Sequence, residues 1–568
     1  MDKSQEIAAI DDQISTTFEQ ETLQLLNSRR NSLIPIAYLP TEVLSRVFSC
    51  HVEELRPSQM TDDFPNELRS ITPNDWLWFA QVCQHWRTVA LGTATLWSTP
   101  DFRFRKLSLE MVKRSKPAPL NVLLHVGEDM DIIRSVCEEV LRKEFSRIGL
   151  LDFYLHKDCA LRVFKEIRGA EGFPMLHSFT FFLGGIDPPR HALSLPHGLF
   201  AEPPPLRLLV LHNLDCNKSR SSGLLKNLTT LHLSLEEGFA QPIPFEKLLS
   251  VLEDCHELQE LMLEGCLDEL NPARTSNLEP VELPHLRRFE LSDEFSITAS
   301  SFFELVSFPN VQFIDLQIFM DSSVEGDHRR LRKMLEHALL SPNPPPRPST
   351  PPIKFEPPRS LHIEQFDSCG ARGNLSFYPL PNSDPRRDAP VSICFQRDSP
   401  SFYDSMTTLL DVIGTSSLTR LEKLSICARS REGIPVDVVV KYFGGLETLQ
   451  HLVIQGIGGS ARSLGEAIGK EIGGNNNRRQ GVRSCAFEGL RTIRFEVDDL
   501  LSLSIDQSSR QRGIRIGDIL VGGLRLRKEI MGSVGVESIV IDGPFVLDEG
   551  ELVELRRFVP DTAVHARS

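Results

Sequence analysis

Nowhere in this chain do the roughly 18 consecutive apolar residues of a membrane-spanning helix occur together. The first residues, MDKSQEIAAIDDQ, mix both charges and lack the apolar core of a secretion signal. The compartment expected is therefore cytosol or nucleus, with no membrane contact. No two of the eleven cysteines form a CxxC pair. A zinc site or a disulfide framework would cluster them, so they read as small buried apolar residues in a reducing environment, with no metal. There is no excess of basic charge: the formal net charge is −15, which argues against a general nucleic-acid binder. No G-x-S-x-G elbow and no HExxH occur, so neither a hydrolase triad nor a zinc peptidase has an anchor.

One glycine-rich stretch imitates a dinucleotide loop. Gly456-Ile457-Gly458-Gly459-Ser460-Ala461 follows the strand-like LQHLVIQ and precedes a helical pattern. A dinucleotide fold also requires a strand ending in an acid about 20 residues on. That span here reads GGNNNRRQ, so a turn within a repeat is the better account. Gly465 to Lys470, GEAIGK, has the wrong spacing for a phosphate loop. Cys83 and His85 stand two apart without a second ligand pair. No cofactor is expected.

The 568 residues exceed one ordinary compact domain. Ile7, Ile10, Ile14, Phe18, Leu25 and Leu26 recur at three- and four-residue steps, predicting one amphipathic helical segment over 1–34. A dense region over 35–102 follows and holds all four tryptophans, Trp76, Trp78, Trp86 and Trp97. Such concentration suggests a small module with aromatic anchors. After residue 103 an apolar residue is repeatedly followed by others at +3 and +5. Leu206-Leu209-Leu211, Leu228-Leu231-Leu233, Leu258-Leu261-Leu263 and Leu286-Phe289-Leu291 are the clearest copies. Others start at Leu176, Val311, Leu421, Leu449, Leu490 and Val536. Between them lie helical patterns, such as Phe245-Leu248-Leu249-Leu252, Phe302-Leu305-Val306, Leu331-Met334-Leu335-Leu339 and Val436-Val439-Val440-Phe443. A strand then a helix every ~22 to 30 residues is leucine-rich-repeat spacing. The fold class expected is α/β: a small all-helical module, then an irregular repeat-like solenoid over 103–568 with a proline-rich insertion at 341–358. The polar positions between the inward residues, such as His212, His232 and Glu264, are candidate contacts for a target.

Within 35–102, Leu39-Pro40-Thr41-Glu42-Val43-Leu44 opens a helix. Pro40 suits its first position, Glu42 favours the positive end of the dipole, and Leu44, Val47 and Phe48 share a face. Thr72-Pro73-Asn74-Asp75 predicts a second helix start, continuing through WLWFAQVCQHWRTVA with Phe79, Cys83, Trp86 and Ala90 on one stripe. Leu39 to Leu44 with Val47-Phe48, then Val82-Cys83-Gln84-His85-Trp86-Arg87, Ala90 and Leu96-Trp97, resembles an F-box. The combination with a degenerate repeat tail is similar to the F-box families of mushroom-forming fungi. The departure is a polar insertion, Glu53 to Ile71, between the two halves.

That resemblance implies a three-helix module that docks on the Skp-type adaptor of a cullin ubiquitin ligase. It implies no chemistry by the chain itself, which is not expected to be an enzyme, and a repeat region that holds a protein target. The adaptor-binding residues expected are Leu39, Pro40, Leu44, Val47, Val82, Cys83, Leu96 and Trp97. A repeat-based interaction scaffold not used in ubiquitin transfer is the alternative.

Overall fold

The computed structural model describes residues 3–54, 77–127, 129–184, 192–215, 224–236, 238–239, 241–268, 278–320, 358–365, 372–378, 391–397, 402–414, 418–428, 434–456, 459–472, 484–496, 514–515, 517–542, 545–546 and 548–565. Most of the insertion 53–71, the Thr72 to Asp75 helix start with Trp76, the 331–339 helical pattern, most of the 341–358 proline segment and the GGNNNRRQ loop lie outside these residues. The chain folds as two compact units, Met1–Gln241 and Pro242–Ser568.

The first unit opens with two helices, α1 (Lys3–Thr16) and α2 (Gln20–Leu33), where the periodicity predicts one. The reason lies in the hydroxyls at the junction. Ser15, Thr16 and Thr17 hydrogen-bond back to the carbonyls of Asp12 and Gln13, closing the helix. The chain then reverses, and Arg29 and Arg30 of α2 reach Glu6 and Asp11 of α1. Ile10 is buried, whereas Phe18, counted into the apolar stripe by its spacing, is 96% exposed at the turn.

The helical module follows: α3 (Thr41–Glu54), α4 (Phe79–Val82), α5 (Gln84–Gly92) and a 3-10 turn at Ala94–Trp97. α6 (Arg105–Arg114) continues past the expected boundary at 102, and its Met111 joins the module's core. Five parallel strands then run in sequence order: β1 (Leu120–Gly127), β2 (Ile148–Leu155), β3 (Ser178–Leu183), β4 (Leu208–His212) and β5 (Thr230–Ser234). Helices α7 (Met130–Val136) and α8 (Lys157–Arg168) supply crossovers, as parallel pairing requires. Leu124, Phe153, Phe181, Leu211 and Leu233 form one buried row across the strands. Aromatic packing stiffens it, with Phe164 of α8 4.8 Å from Phe181.

The second unit carries β6 (Glu260–Glu264), β7 (Arg288–Phe295), β8 (Phe313–Met320), β9 (Ser360–Gln365), β10 (Arg372–Tyr378), β11 (Val391–Arg397), β12 (Lys423–Ala428), β13 (His451–Gly456), β14 (Thr492–Glu496), β15 (Ser538–Asp542) and β16 (Asp561–His565). Leu263, Leu291, Leu316, Ile393, Leu375, Ile363, Ile426, Ile454, Phe495, Ile541 and Val564 stand in register across them. Each strand thus aims the same position at the helix layer. Pairing is parallel except around β10, which runs antiparallel between β11 and β9. Six residues of sequence separate β9 from β10 and twelve separate β10 from β11, and short links of this kind suit antiparallel pairing, not parallel. The antiparallel trio interrupts the parallel pairing of the other strands. All ten +3/+5 patterns are strands, and the residue that opens each pattern sits just before its strand.

Among the described residues the α-helices of this unit are α9 (Phe245–Glu253), α10 (Ser296–Leu305), α11 (Phe402–Ile413), α12 (Val436–Val439), α13 (Gly459–Ile468), α14 (Gly517–Met531) and α15 (Glu549–Phe558). α13 and α14 approach backbone to backbone. A Cβ on Gly469 would lie 2.8 Å from the Gly523 carbonyl oxygen, and one on Gly523 would overlap that of Gly465. The neighbouring Gly522 has open space. Alanine is the better helix former by about 1 kcal/mol, so the two adjacent sites separate packing from propensity. Gly522→Ala should raise the unfolding midpoint, whereas Gly523→Ala should lower stability by about 1–3 kcal/mol through overpacking. Urea titration of the two variants checks this, and equal shifts would count against the close helix contact.

Candidate functional site

α3 begins at Thr41, and the Pro40 carbonyl accepts the first helical hydrogen bond, from Leu44 N, at 3.0 Å. With about 100° per residue, Leu44, Phe48 and Val52 cluster on one stripe, and all three are buried. Val47 falls off that stripe and is 50% exposed. Phe48 stacks on Phe79 at 4.2 Å and meets the edge of Trp86 at 5.1 Å. Val89, Ala90, Leu96 and Trp97 complete the interior.

The helix predicted to run unbroken from Thr72 is interrupted at Cys83, whose backbone is extended (φ −160, ψ 170). The Cys83 sulfur accepts from the backbone N–H of Trp86, so this cysteine caps α5. The Phe79-Cys83-Trp86 spacing keeps its helical rhythm across the break, which hides it from a periodicity argument. At the other end of α5, the Trp97 indole N–H donates to the Ala90 carbonyl at 2.9 Å. This carbonyl is among those a helix end leaves without an intrahelical partner. The Arg114 guanidinium covers the same indole, 5.1 Å from its centroid.

The eight residues expected to meet an adaptor therefore divide. Leu44, Leu96 and Trp97 are buried in the module's own interior, because they supply the stripe and the cap that close it. Leu39 and Cys83 are partly exposed, and Pro40, Val47 and Val82 are exposed. Val43 was not singled out, yet it is exposed one turn before Val47 on the same face of α3. The signal for it is its i, i−4 relation to Val47. Trp78 is also exposed and stands edge-on to His51 at 6.0 Å.

The strand positions named as contacts behave differently from one another. His212 stacks on Phe182 and donates from Nε2 to Glu236 at 3.0 Å. His232 is partly exposed on β5, and Glu264 is exposed on β6. Of the glycine-rich lookalike, Ile457 and Gly458 lie outside the described residues, and Gly459 opens α13. Gly465 and Gly469 serve the close contact with α14.

Among the described residues no cluster of His, Cys, Asp and Glu has the arrangement of a metal site, and no helix is long and apolar enough to cross a membrane. The described cysteines are free thiols, most of them buried. Burial pushes the Cys137 thiol up to about 11, which removes it from nucleophilic chemistry near neutrality. Cys216 and Cys369 lie outside the described residues.

No curated protein matches the chain. A family model described as F-box-like matches residues 36–103, the span of the helical module from its opening turn to the start of α6. The chain therefore carries an F-box-like domain over those residues.

Proposed function

We propose that this chain is the substrate-recruiting subunit of a cullin-based, SCF-type ubiquitin ligase. The F-box-like module docks on a Skp-type adaptor. The strand–helix region acts as a leucine-rich-repeat-like receptor for a protein target. The chain works without a cofactor and performs no chemistry; ubiquitin is delivered by other subunits. It acts in the cytoplasm or nucleus, away from membrane and nucleic acid.

One observation carries this reading: the module closes its own core and still leaves Val43, Val47 and Val82 exposed. Exposed aliphatic side chains on a small domain that already has an interior point to a partner. Leu39, Pro40, Val47, Val82 and Cys83, with Val43, make the direct contacts. Leu44, Leu96 and Trp97 act on the adaptor through the shape they give the module. The repeat-like reading is supported by the in-register apolar row and by the helices that alternate with most of the parallel strands.

The test is co-purification from a host extract with protein identification by mass spectrometry. The wild-type chain is expected to bring down a Skp-type adaptor, a cullin and a target. Val47→Asp should lose the first two and keep the target. Retention of a target with no adaptor in the wild type would favour an interaction scaffold instead.

A further inference from the structure

Beyond the inward apolar rows, the five strands of the first unit carry a second row on their other side. His125, Tyr154, Phe182, His212 and Ser234 stand in register from β1 to β5, and each is partly exposed. Three of these positions form a continuous ring stack. Tyr154 lies 4.9 Å from Phe182, and Phe182 lies 3.7 Å from His212 with the planes 10° apart. A carboxylate flanks each end. Asp152 is 3.3 Å from His125, and Glu236, 57% exposed, accepts from His212. The five strands contain no Lys or Arg, and Asp152 is their only acidic residue.

The surrounding backbone fixes this arrangement. Asn213 follows His212 in the left-handed region, at φ 61. It is fully buried; its side chain donates to the Leu183 carbonyl and accepts from the backbone N–H of Glu236. One strained residue thus ties the ends of β3, β4 and β5 together and sets where the Glu236 carboxylate stands. Strain of this kind persists where the neighbouring structure enforces it, and it concentrates at functional positions. Gly184 contributes similarly: a Cβ there would lie 2.7 Å from the Tyr154 ring, so glycine lets that ring lie across the strand end.

We propose that this row is a docking platform for an extended, basic segment of the protein target, with Arg or Lys side chains set against the rings and between the carboxylates of Asp152 and Glu236. The proposal rests on the reading of the strand–helix region as a target receptor and names the chemistry of what it receives. Charge complementarity selects the occupant: the carboxylates of Asp152 and Glu236 flank the aromatic row, and the five strands themselves carry no Lys or Arg. Guanidinium groups in particular pair with carboxylates and stack on planar rings.

The probe is a fluorescent GRGRGRG peptide, titrated by anisotropy into the full chain beside the same sequence with citrulline at each arginine. The arginine peptide is expected to bind and the citrulline peptide to bind about tenfold more weakly. Glu236→Gln and Phe182→Thr, both changed on the solvent side, should each weaken the arginine peptide about tenfold, the size of one charge-assisted hydrogen bond for the first and of one cation–ring contact for the second. Asp437→Asn, at an exposed acid of the second unit, should leave it unchanged. Three results would overturn the platform: equal binding of the two peptides, equal binding by the Glu236 and Phe182 variants and wild type, or an equal loss in the Asp437 variant. Co-purification separates the two levels of the claim. A target retained by both Glu236→Gln and Phe182→Thr overturns the platform and leaves the receptor standing, whereas a wild type that captures no target overturns both.

Discussion

Arg527→Met should unfold the C-terminal part of the second unit, with a loss on the order of 4 kcal/mol. Arg527 is completely buried in α14. Its guanidinium donates to the Val534 and Ala486 carbonyls at 2.6 Å, and to those of Phe487 and Glu488 at 2.6 and 3.1 Å. Phe487 sits at φ 58, a region that aromatic residues rarely adopt. Its N–H donates to the Gly444 carbonyl. Arg527 therefore collects the inward-pointing carbonyls of a strained turn and joins them to the helix that follows. Burial lowers its pKa, but an arginine remains charged, so it must stay fully hydrogen-bonded to be tolerated. Methionine fills most of the volume and offers no donor, leaving several buried acceptors unsatisfied at about 1–3 kcal/mol each. Lysine restores the charge but not the fork, and should recover little. Hydrogen exchange over residues 484–496 and 517–536 reads the effect. Protection equal to wild type in Arg527→Met would show that the turn is held by other means.

Trp97→Ala should cost about 3–5 kcal/mol in the helical module, as large-to-small changes in a closed core do. The indole is 3% exposed, terminates α5 through Ala90 and lies beneath Arg114. Trp97→Phe keeps most of the apolar volume and removes only the N–H, so its smaller loss, about 1–3 kcal/mol, isolates the cap. Adaptor binding should fall in both variants in proportion to the loss of fold, because Trp97 acts from inside. Loss of adaptor by Trp97→Phe with an unchanged unfolding midpoint would instead make the indole a direct contact. Circular dichroism melting alongside adaptor binding distinguishes the two.

The periodic part of this fold is written plainly in the sequence. The +3/+5 pattern marks strands because the first residue seals the turn before each strand and the other two point inward from it. β1 escapes notice since LNVLLHVG is a nearly continuous apolar run whose inward Val122 and Leu124 are opened by Pro119, whereas β2 does carry the pattern, at Ile148, Leu151 and Phe153, but its opening residue lies inside the strand. β9 to β11 are hidden because their antiparallel pairing departs from the parallel repeat. Cys83 conceals a break because its spacing fits an unbroken helix. At the site, a stripe drawn through Leu44, Val47 and Phe48 does not tell core from surface; the 44–48–52 step does, and it places Val47 outside. Arg527 looks like a solvated residue of an amphipathic helix. Its position on the stripe of Leu520, Val521 and Leu524 is the signal that identifies it as buried.

The central claim is that a finished helical core presents a separate aliphatic surface to an adaptor. Its most direct measurement is the affinity of the purified full chain for a purified Skp-type adaptor, wild type against Val47→Asp, with the melting temperature of each. The account predicts binding weakened about thirtyfold or more, the size of an interface anchor, at an unchanged melting temperature. Equal affinity for the two proteins would contradict it.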